Sequence, residues 1–339
     1  MRYLHLRIAV LIFSIFGVGL LLASFSAPAQ AAAGPEAPPS TFDAQTVPTC
    51  LDRSDIPDSE YHWLHVPAVP GELATSEYYG YLAGQLIIYG VVDASDCPLG
   101  GVWPTGYANA CGLDATRDEV ILLQNLYDEE ILDAYRTVGT PPVLLKQLLR
   151  FESQFWPVRM GVYHFGLGHL TLIGAASALQ WNPVLYGEVC LETFNGPCPA
   201  PYTSTYSNYD NILSGELLGM MDAFCDECEY KIDIPKAEAS IELIAQVLLG
   251  YCRQTSQIVF NVTDQYSGFT VDYATIWKMT LLNYNAGPQC VYDALDAVYT
   301  TETDEISWAE ISQNVSGAGC IKGVEYANSI TARYYDFTP

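Results

Sequence analysis

Residues 140–157 read Thr140-Pro141-Pro142-Val143-Leu144-Leu145-Lys146-Gln147-Leu148-Leu149-Arg150-Phe151-Glu152-Ser153-Gln154-Phe155-Trp156-Pro157. Thr140 and the two prolines predict a helix start, with Thr at the cap and Pro in the first turn, and Pro157 stops the helix. Leu145, Leu148, Leu149 and Glu152 stand at i, i+3, i+4 and i+7, so the Glu152 carboxylate shares a face with leucines that have to be buried. A carboxylate there is costly. Apolar surroundings favour its neutral form, and the negative end of the helix dipole acts in the same direction, so its pKa is expected to rise. Such a group can hold a proton near neutral pH and pass it to a leaving oxygen, the task of a general acid in glycoside cleavage. The helix alone leaves open an ordinary solvated Glu at a frayed end.

The helical pattern continues on both sides. Thr116 with Glu119 three residues later predicts a capping box, and Val120, Leu123, Tyr127 and Ile131 carry the expected helix to Arg136. Further helices are expected at 171–181, 208–224, 235–260, 271–284, 289–299 and 323–335. Ile241, Ile244, Leu248, Cys252 and Val259 form one of the clearest stripes. No internal repeat is visible. The fold class is therefore mainly α. Residues 48–112 are dense in Gly, Pro, Tyr and Cys without sustained helical periodicity, and predict an irregular, disulfide-tied N-terminal extension. The expected organisation is a leader at 1–31, a flexible Ala/Pro/Ser linker at 32–47, the Cys-containing extension at 48–115 and a helical domain at 116–335.

The leader is expected because Arg2 and Arg7 precede an uncharged apolar run from Ile8 to Phe25, followed by the small-residue stretch Ala27-Pro28-Ala29-Gln30-Ala31. This layout predicts a secretory signal peptide cut after Ala31. A retained membrane anchor is the alternative, but the alanine-rich exit lacks a charged stop-transfer flank. Loss of Arg2 and Arg7 with the leader takes the formal charge from −25 to −27. That balance argues against nucleic acid or an anionic membrane surface as a partner, and no stable membrane anchor is expected after cleavage. The acids are spread along the chain and read as a solubilising surface. All ten cysteines lie beyond the leader: Cys50, Cys97, Cys111, Cys190, Cys198, Cys225, Cys228, Cys252, Cys290 and Cys320. An even count in an exported chain predicts disulfides, with the connectivity open. Cys190 with Cys198 would staple a short loop, and Cys225 with Cys228 a very tight one unless they pair elsewhere. A zinc or redox role for that pair lacks a second C-x-x-C or a nearby His, and His62 with His65 alone do not make a metal site. No metal and no cofactor are expected.

Four ordered segments resemble those of a known family. Leu148-Leu149-Arg150-Phe151-Glu152-Ser153-Gln154-Phe155-Trp156-Pro157 is similar to the Glu-Ser motif of the lysozyme-like lytic transglycosylases, the family of the soluble lytic transglycosylase (SLT) catalytic domain. Gly166-Leu167-Gly168-His169-Leu170-Thr171 resembles its Gly-Leu-Met-Gln block. Asn283-Tyr284-Asn285-Ala286-Gly287-Pro288 is similar to its Tyr-Asn-Ala-Gly motif, and Glu325-Tyr326-Ala327-Asn328-Ser329-Ile330 to its late segment bearing a cleft tyrosine. Each motif is short and weak alone; their order and spacing over residues 116–335 carry the resemblance.

The resemblance implies a lysozyme-like α domain with Glu152 ending a helix at the floor of a glycan cleft, and peptidoglycan glycan strands as the partner. It implies that Glu152 protonates the oxygen between N-acetylmuramic acid and N-acetylglucosamine and then acts as base toward the muramic C6 hydroxyl, closing a 1,6-anhydro ring. The internal hydroxyl replaces water, which removes the need for a second carboxylate. The stretch 153–187 contains no Asp or Glu, in line with a single acid, although Asp210 or Asp272 could fold into place. By the same resemblance Ser153, His169, Tyr284, Asn285 and Tyr326 contact the acid or the sugar. Plainer roles stand beside these. Ser153 suits local backbone bonding at a helix end, Tyr284 continues a core stripe with Trp277 and Leu281, and Tyr326 repeats with Ile330 and Tyr334. His169 stands where the family has Gln and Gly168 where it has Met, and an imidazole charged below neutral pH would alter the optimum. A lysozyme- or chitinase-type hydrolase and a non-catalytic glycan-binding protein of the same fold are the alternatives.

Overall fold

The computed structural model describes residue 50 and residues 61–198, 208–300 and 305–332. The expected leader and linker, Tyr334 and the last residues of the expected C-terminal helix lie outside them. The described residues fold as thirteen α-helices with short 3-10 turns, and the extended backbone among them is limited to isolated bridges. The helices are α1 (Gly80–Ile88), α2 (Ala110–Ala115), α3 (Arg117–Asn125), α4 (Asp128–Val138), α5 (Pro142–Ser153), α6 (Leu172–Trp181), α7 (Pro183–Phe194), α8 (Asn208–Met221), α9 (Ile234–Thr263), α10 (Tyr273–Ala286), α11 (Pro288–Val298), α12 (Trp308–Gln313) and α13 (Ala318–Thr331). None is long and apolar enough to cross a membrane.

The central element is α9, whose stripe of Ile241, Ile244, Ala245, Leu248, Cys252 and Val259 is buried against α4, α6, α10 and α11. Asp233 caps it by accepting from Lys236 N, and Pro235 occupies its first turn. Helix α5 lies against α4 and α13, with Leu144, Leu145, Leu148 and Leu149 fully buried. Burial of four leucines contributes on the order of 6–12 kcal/mol before the ordering entropy is subtracted.

Both expected N-caps in this region are differently used. Thr116 caps nothing with its side chain and instead donates to Gly112 O at 2.8 Å, closing α2. Thr140 donates to Ala245 O at 3.0 Å and thereby ties the start of α5 to α9, while Pro141 takes the cap position. The helix expected over 116–136 is two helices, broken at Leu126 and Tyr127. Asn125 donates its side chain to Ile121 O and Thr75 O at the end of α3, and Asp128, Glu129 and Glu130 open α4 with the acidic first turn that suits a helix dipole.

The extension expected to be irregular contains α1, α2 and three 3-10 turns, at His62–Leu64, Pro70–Leu73 and Pro98–Gly101. Its Trp63, Leu64, Leu73, Leu82 and Leu86 belong to the same buried cluster as the leucines of α5. Gly84 is required there: a Cβ on it would stand 2.0 Å from Gly106 O. Five disulfides join Cys50 to Cys252, Cys97 to Cys111, Cys190 to Cys198, Cys225 to Cys228 and Cys290 to Cys320. The first ties the extension to α9, and the last ties the start of α11 to the start of α13. Helix α7 was not expected, although Asn182-Pro183 is a cap followed by Pro at the first position, and the Asn182 side chain accepts from Val184 N and Leu185 N.

Candidate active site

Helix α5 ends abruptly. Gln154 and Phe155 both take left-handed backbone, with φ of 50° and 66°, a conformation that costs a non-glycine residue about 1 kcal/mol or more and persists where packing enforces it. Phe155 and Trp156 are buried immediately afterwards, and Gln154 Oε1 accepts from Tyr81 N at 2.7 Å. A buried ion pair adds to the anchorage. Lys146 Nζ donates to Asp128 Oδ1 on α4 and, at 3.1 Å, to Asn125 Oδ1, and it lies 5.7 Å from the centre of the Phe155 ring. Burial pulls the Lys146 ammonium down, and it pushes the Asp128 carboxyl up to about 6 against the opposing pull of Lys146.

Glu152 projects from this fixed helix end with its side chain 16% exposed, neither sealed nor in bulk solvent. Tyr326 of α13 donates its hydroxyl to Glu152 Oε1 at 2.5 Å. The other oxygen, Oε2, lies 3.6 Å from His169 Nδ1. Tyr284 of α10 donates to Gly168 O at 2.6 Å, one residue from that imidazole. Glu152 thus meets Tyr326 and His169 from two of the other three quoted segments, and Tyr284 from the third bonds to the residue beside His169. Family models, curated proteins and solved structures give no match.

The electrostatics follow from burial. The hydroxyls of Tyr284 and Tyr326 are both held well above the usual phenol range, first by burial and then by the negative charge of Glu152. They remain neutral donors at any physiological pH. No second carboxylate contributes to either shift among the described residues. Asp272, a possible second acid, caps the far end of α10 by accepting from Thr275 N at 2.6 Å. It lies about 18 Å of helix rise from Tyr284. Asp210 stands in the first turn of α8, where side chains are not described.

The other expected site residues divide. His169, Tyr284 and Tyr326 come together around Glu152. Ser153 does not join the group around Glu152: it is fully buried and its hydroxyl donates to Leu149 O at 3.1 Å, so it secures the helix end. Asn285, next to Tyr284 at the end of α10, is exposed, and the buried amide of that segment is Asn283, which donates to Gln254 Oε1 and Thr255 Oγ1 on α9. Gly168 has a steric reason to be glycine. A Cβ there would stand 3.1 Å from the Tyr284 hydroxyl, so a larger residue would press on the group that donates to the Gly168 carbonyl.

Two aromatic contacts at the site were not read from the sequence. Phe151 packs edge-on to Tyr326 with ring centres 5.0 Å apart, and Tyr251 of α9 meets Tyr284 in the same way at 5.0 Å. Phe151 is 44% exposed, an apolar ring offered to solvent beside the carboxylate. Tyr251 falls on the α9 stripe and carries no local mark that separates it from core. Among the described residues no three His, Cys, Asp or Glu side chains gather as a metal site.

Proposed function

We propose that this chain is a peptidoglycan lytic transglycosylase of lysozyme-like fold, cutting the β-1,4 linkage between N-acetylmuramic acid and N-acetylglucosamine with Glu152 as its single acid/base. The observation that carries the reading is the convergence on one half-sheltered carboxylate of a tyrosine on one oxygen and an imidazole on the other, from segments far apart in the chain. Burying apolar helix faces does not require that arrangement. It suits an acid whose two oxygens must be held while a proton leaves and returns.

In its acid form Glu152 gives its proton to the bridging oxygen as the bond from muramic C1 to that oxygen breaks. The N-acetylglucosamine side leaves with its 4-hydroxyl restored, and positive charge develops on the muramic ring. The carboxylate then accepts the proton of the muramic C6 hydroxyl while that oxygen bonds to C1, and the acid form is regenerated. The C6 hydroxyl belongs to the same sugar, so its effective concentration far exceeds that of a free nucleophile. The hydrogen bond from Tyr326 stabilises the carboxylate formed midway, and among the described residues no second acid acts on either tyrosine, which favours this single-acid route over a two-carboxylate hydrolase.

The five disulfides and the lack of a membrane-crossing helix among the described residues are compatible with an exported protein, which a wall substrate requires. Mass spectrometry of digested peptidoglycan tests the proposal. Fragments ending in 1,6-anhydro-muramic acid are expected, and fragments carrying only hydrolysed reducing ends contradict it.

A further inference from the structure

The chain is strongly acidic, yet two segments of the N-terminal extension, 78–92 and 97–113, contain no Asp, Glu, Lys or Arg. The fold lays one upon the other. Trp103-Pro104-Thr105-Gly106-Tyr107 turns back on itself, with Trp103 N donating to Tyr107 O at 2.8 Å and Gly106 N to Trp103 O at 2.9 Å. Pro104 sets the first corner, and Gly106, with a φ of 85°, supplies the left-handed residue that closes such a turn. Ala108 N donates to Gly80 O at 2.8 Å and Gly84 admits the Gly106 carbonyl, so the turn is fastened to α1. The Cys97–Cys111 disulfide staples its base, where a Cβ on Gly112 would stand 2.1 Å from Gly101 O. This braced support leaves its aromatic rings in solvent. Trp103 is 52% and Tyr107 47% exposed, and Ile88, beside Gly106, is exposed as well. Single exposed apolar side chains are ordinary, but a group of them on an uncharged, cross-linked support marks a binding surface.

We infer that Trp103 and Tyr107 form a sugar-stacking platform that grips a glycan strand through its N-acetylhexosamine rings, away from the bond being cut. The inference rests on the reading of this chain as acting on glycan strands, and it puts binding in the extension, outside the four segments around Glu152. Chemistry and continuity select the occupant. The faces of aromatic rings carry negative potential and accept the C–H groups on the flat side of a pyranose. N-acetylglucosamine is neutral and suits an uncharged surface whose neighbouring polar side chains, Gln85 and Thr105, are an amide and a hydroxyl. Anionic polymers and headgroups are opposed by the excess of acids over bases in the chain. The platform is also joined to the helix that carries Glu152. The rings of Tyr107 and Tyr81 lie 5.7 Å apart, and Tyr81 N donates to the side chain of Gln154, two residues beyond Glu152. A polymer held here stays at high effective concentration near the carboxylate.

The test uses the full chain carrying Glu152→Gln, so that the probe stays intact. It is titrated with the N-acetylglucosamine hexamer while the indole N–H resonance of Trp103, assigned by its loss in Trp103→Phe, is followed. That resonance is expected to shift and saturate. In sedimentation with insoluble peptidoglycan, Trp103→Ala and Tyr107→Ala should each weaken binding about five- to tenfold, the effect of losing one aromatic contact. Trp103→Phe, which keeps a ring face, should retain most of the binding, and the exposed position of Trp103 means that neither of its variants should lower the thermal midpoint. A Trp103 resonance that does not move with the hexamer overturns the inference, and so does wall binding unchanged in both alanine variants. A shift with neutral phosphatidylcholine vesicles but not with the hexamer overturns it in favour of a lipid surface. If the resonance shifts and the alanine variants bind weakly while the wild type releases no glycan fragments, the proposed function falls and the platform stands. Fragments released by the wild type with Trp103 unmoved by the hexamer strike the platform alone.

Discussion

Tyr326 reaches across 174 residues of sequence to place its hydroxyl 2.5 Å from Glu152 Oε1, and its ring is 5% exposed while the carboxylate remains partly open. The bond is a charge-assisted one whenever Glu152 is ionised, and it forms on the side of the carboxylate away from His169. A hydrogen bond of this kind is worth about 1.5–3 kcal/mol. Tyr326→Phe keeps the edge-on packing with Phe151 and removes only the donor. Its kcat on peptidoglycan is expected to fall by roughly ten- to a hundredfold. Thermal stability should change by less than about 1 kcal/mol, as for a partly solvated hydrogen bond. A kcat equal to that of the wild type would show that the contact is incidental.

The approach of α13 to α10 is set by Gly323. A Cβ at this position would stand 2.6 Å from Ala286 Cβ and 2.7 Å from Leu282 Cδ1. Gly323→Val must therefore push the helices apart, at a cost typical of overpacking, about 1–3 kcal/mol. Tyr326 lies one turn further along α13 and Tyr284 two residues before Ala286, so the same displacement separates the two tyrosines that flank Glu152. Urea denaturation should give a lower midpoint, and residual activity should drop further than Gly323→Ala causes. Equal activity in the two variants would uncouple the helix crossing from the site.

Lys146 and Asp128 hold α5 against α4 with almost no exposure. Breaking such a pair costs about 3–5 kcal/mol, because the surviving charge is stranded, whereas replacing both partners by apolar residues is often neutral. Lys146→Met is expected to destabilise by that amount, and the double variant with Asp128→Leu to recover most of it. The pH dependence has a definite sign. The folded Asp128 carboxyl is raised to about 6, above its unfolded value, so it contributes stability that is present below the unfolded pKa and lost as pH rises through about 6. The decline in stability between about pH 4 and about pH 6 should flatten in the double variant, as denaturation midpoints across that range will show.

What the sequence made legible follows from how local each signal is. The helix of residues 140–157 was readable because its apolar spacing, its prolines and its terminating Pro157 act within a few residues of one another. Its cap was misread because Thr140 bonds to Ala245, and a partner 105 residues away leaves no local trace. The break at Leu126 and Tyr127 had a visible mark in Asp128-Glu129-Glu130, an acidic first turn, but the unbroken stripe from Val120 to Ile131 spoke for one helix. Four motifs in order pointed to the residues around Glu152, while Ser153, buried and bonded to Leu149 O, shows that membership of a motif does not decide which way a side chain faces. The burial of Lys146 was not legible, because a lysine in a leucine-rich helix is marked as buried only by the partner it finds.

The central claim is that Glu152 carries the chemistry. Its most direct test is the turnover of purified peptidoglycan by Glu152→Gln, compared with the wild type at equal binding to the insoluble wall. The amide retains the shape and can still accept from Tyr326, but it has no proton to give. The account predicts a rate lowered by at least about 10²–10⁴, with wall binding and thermal midpoint preserved. Turnover at the wild-type rate would contradict it.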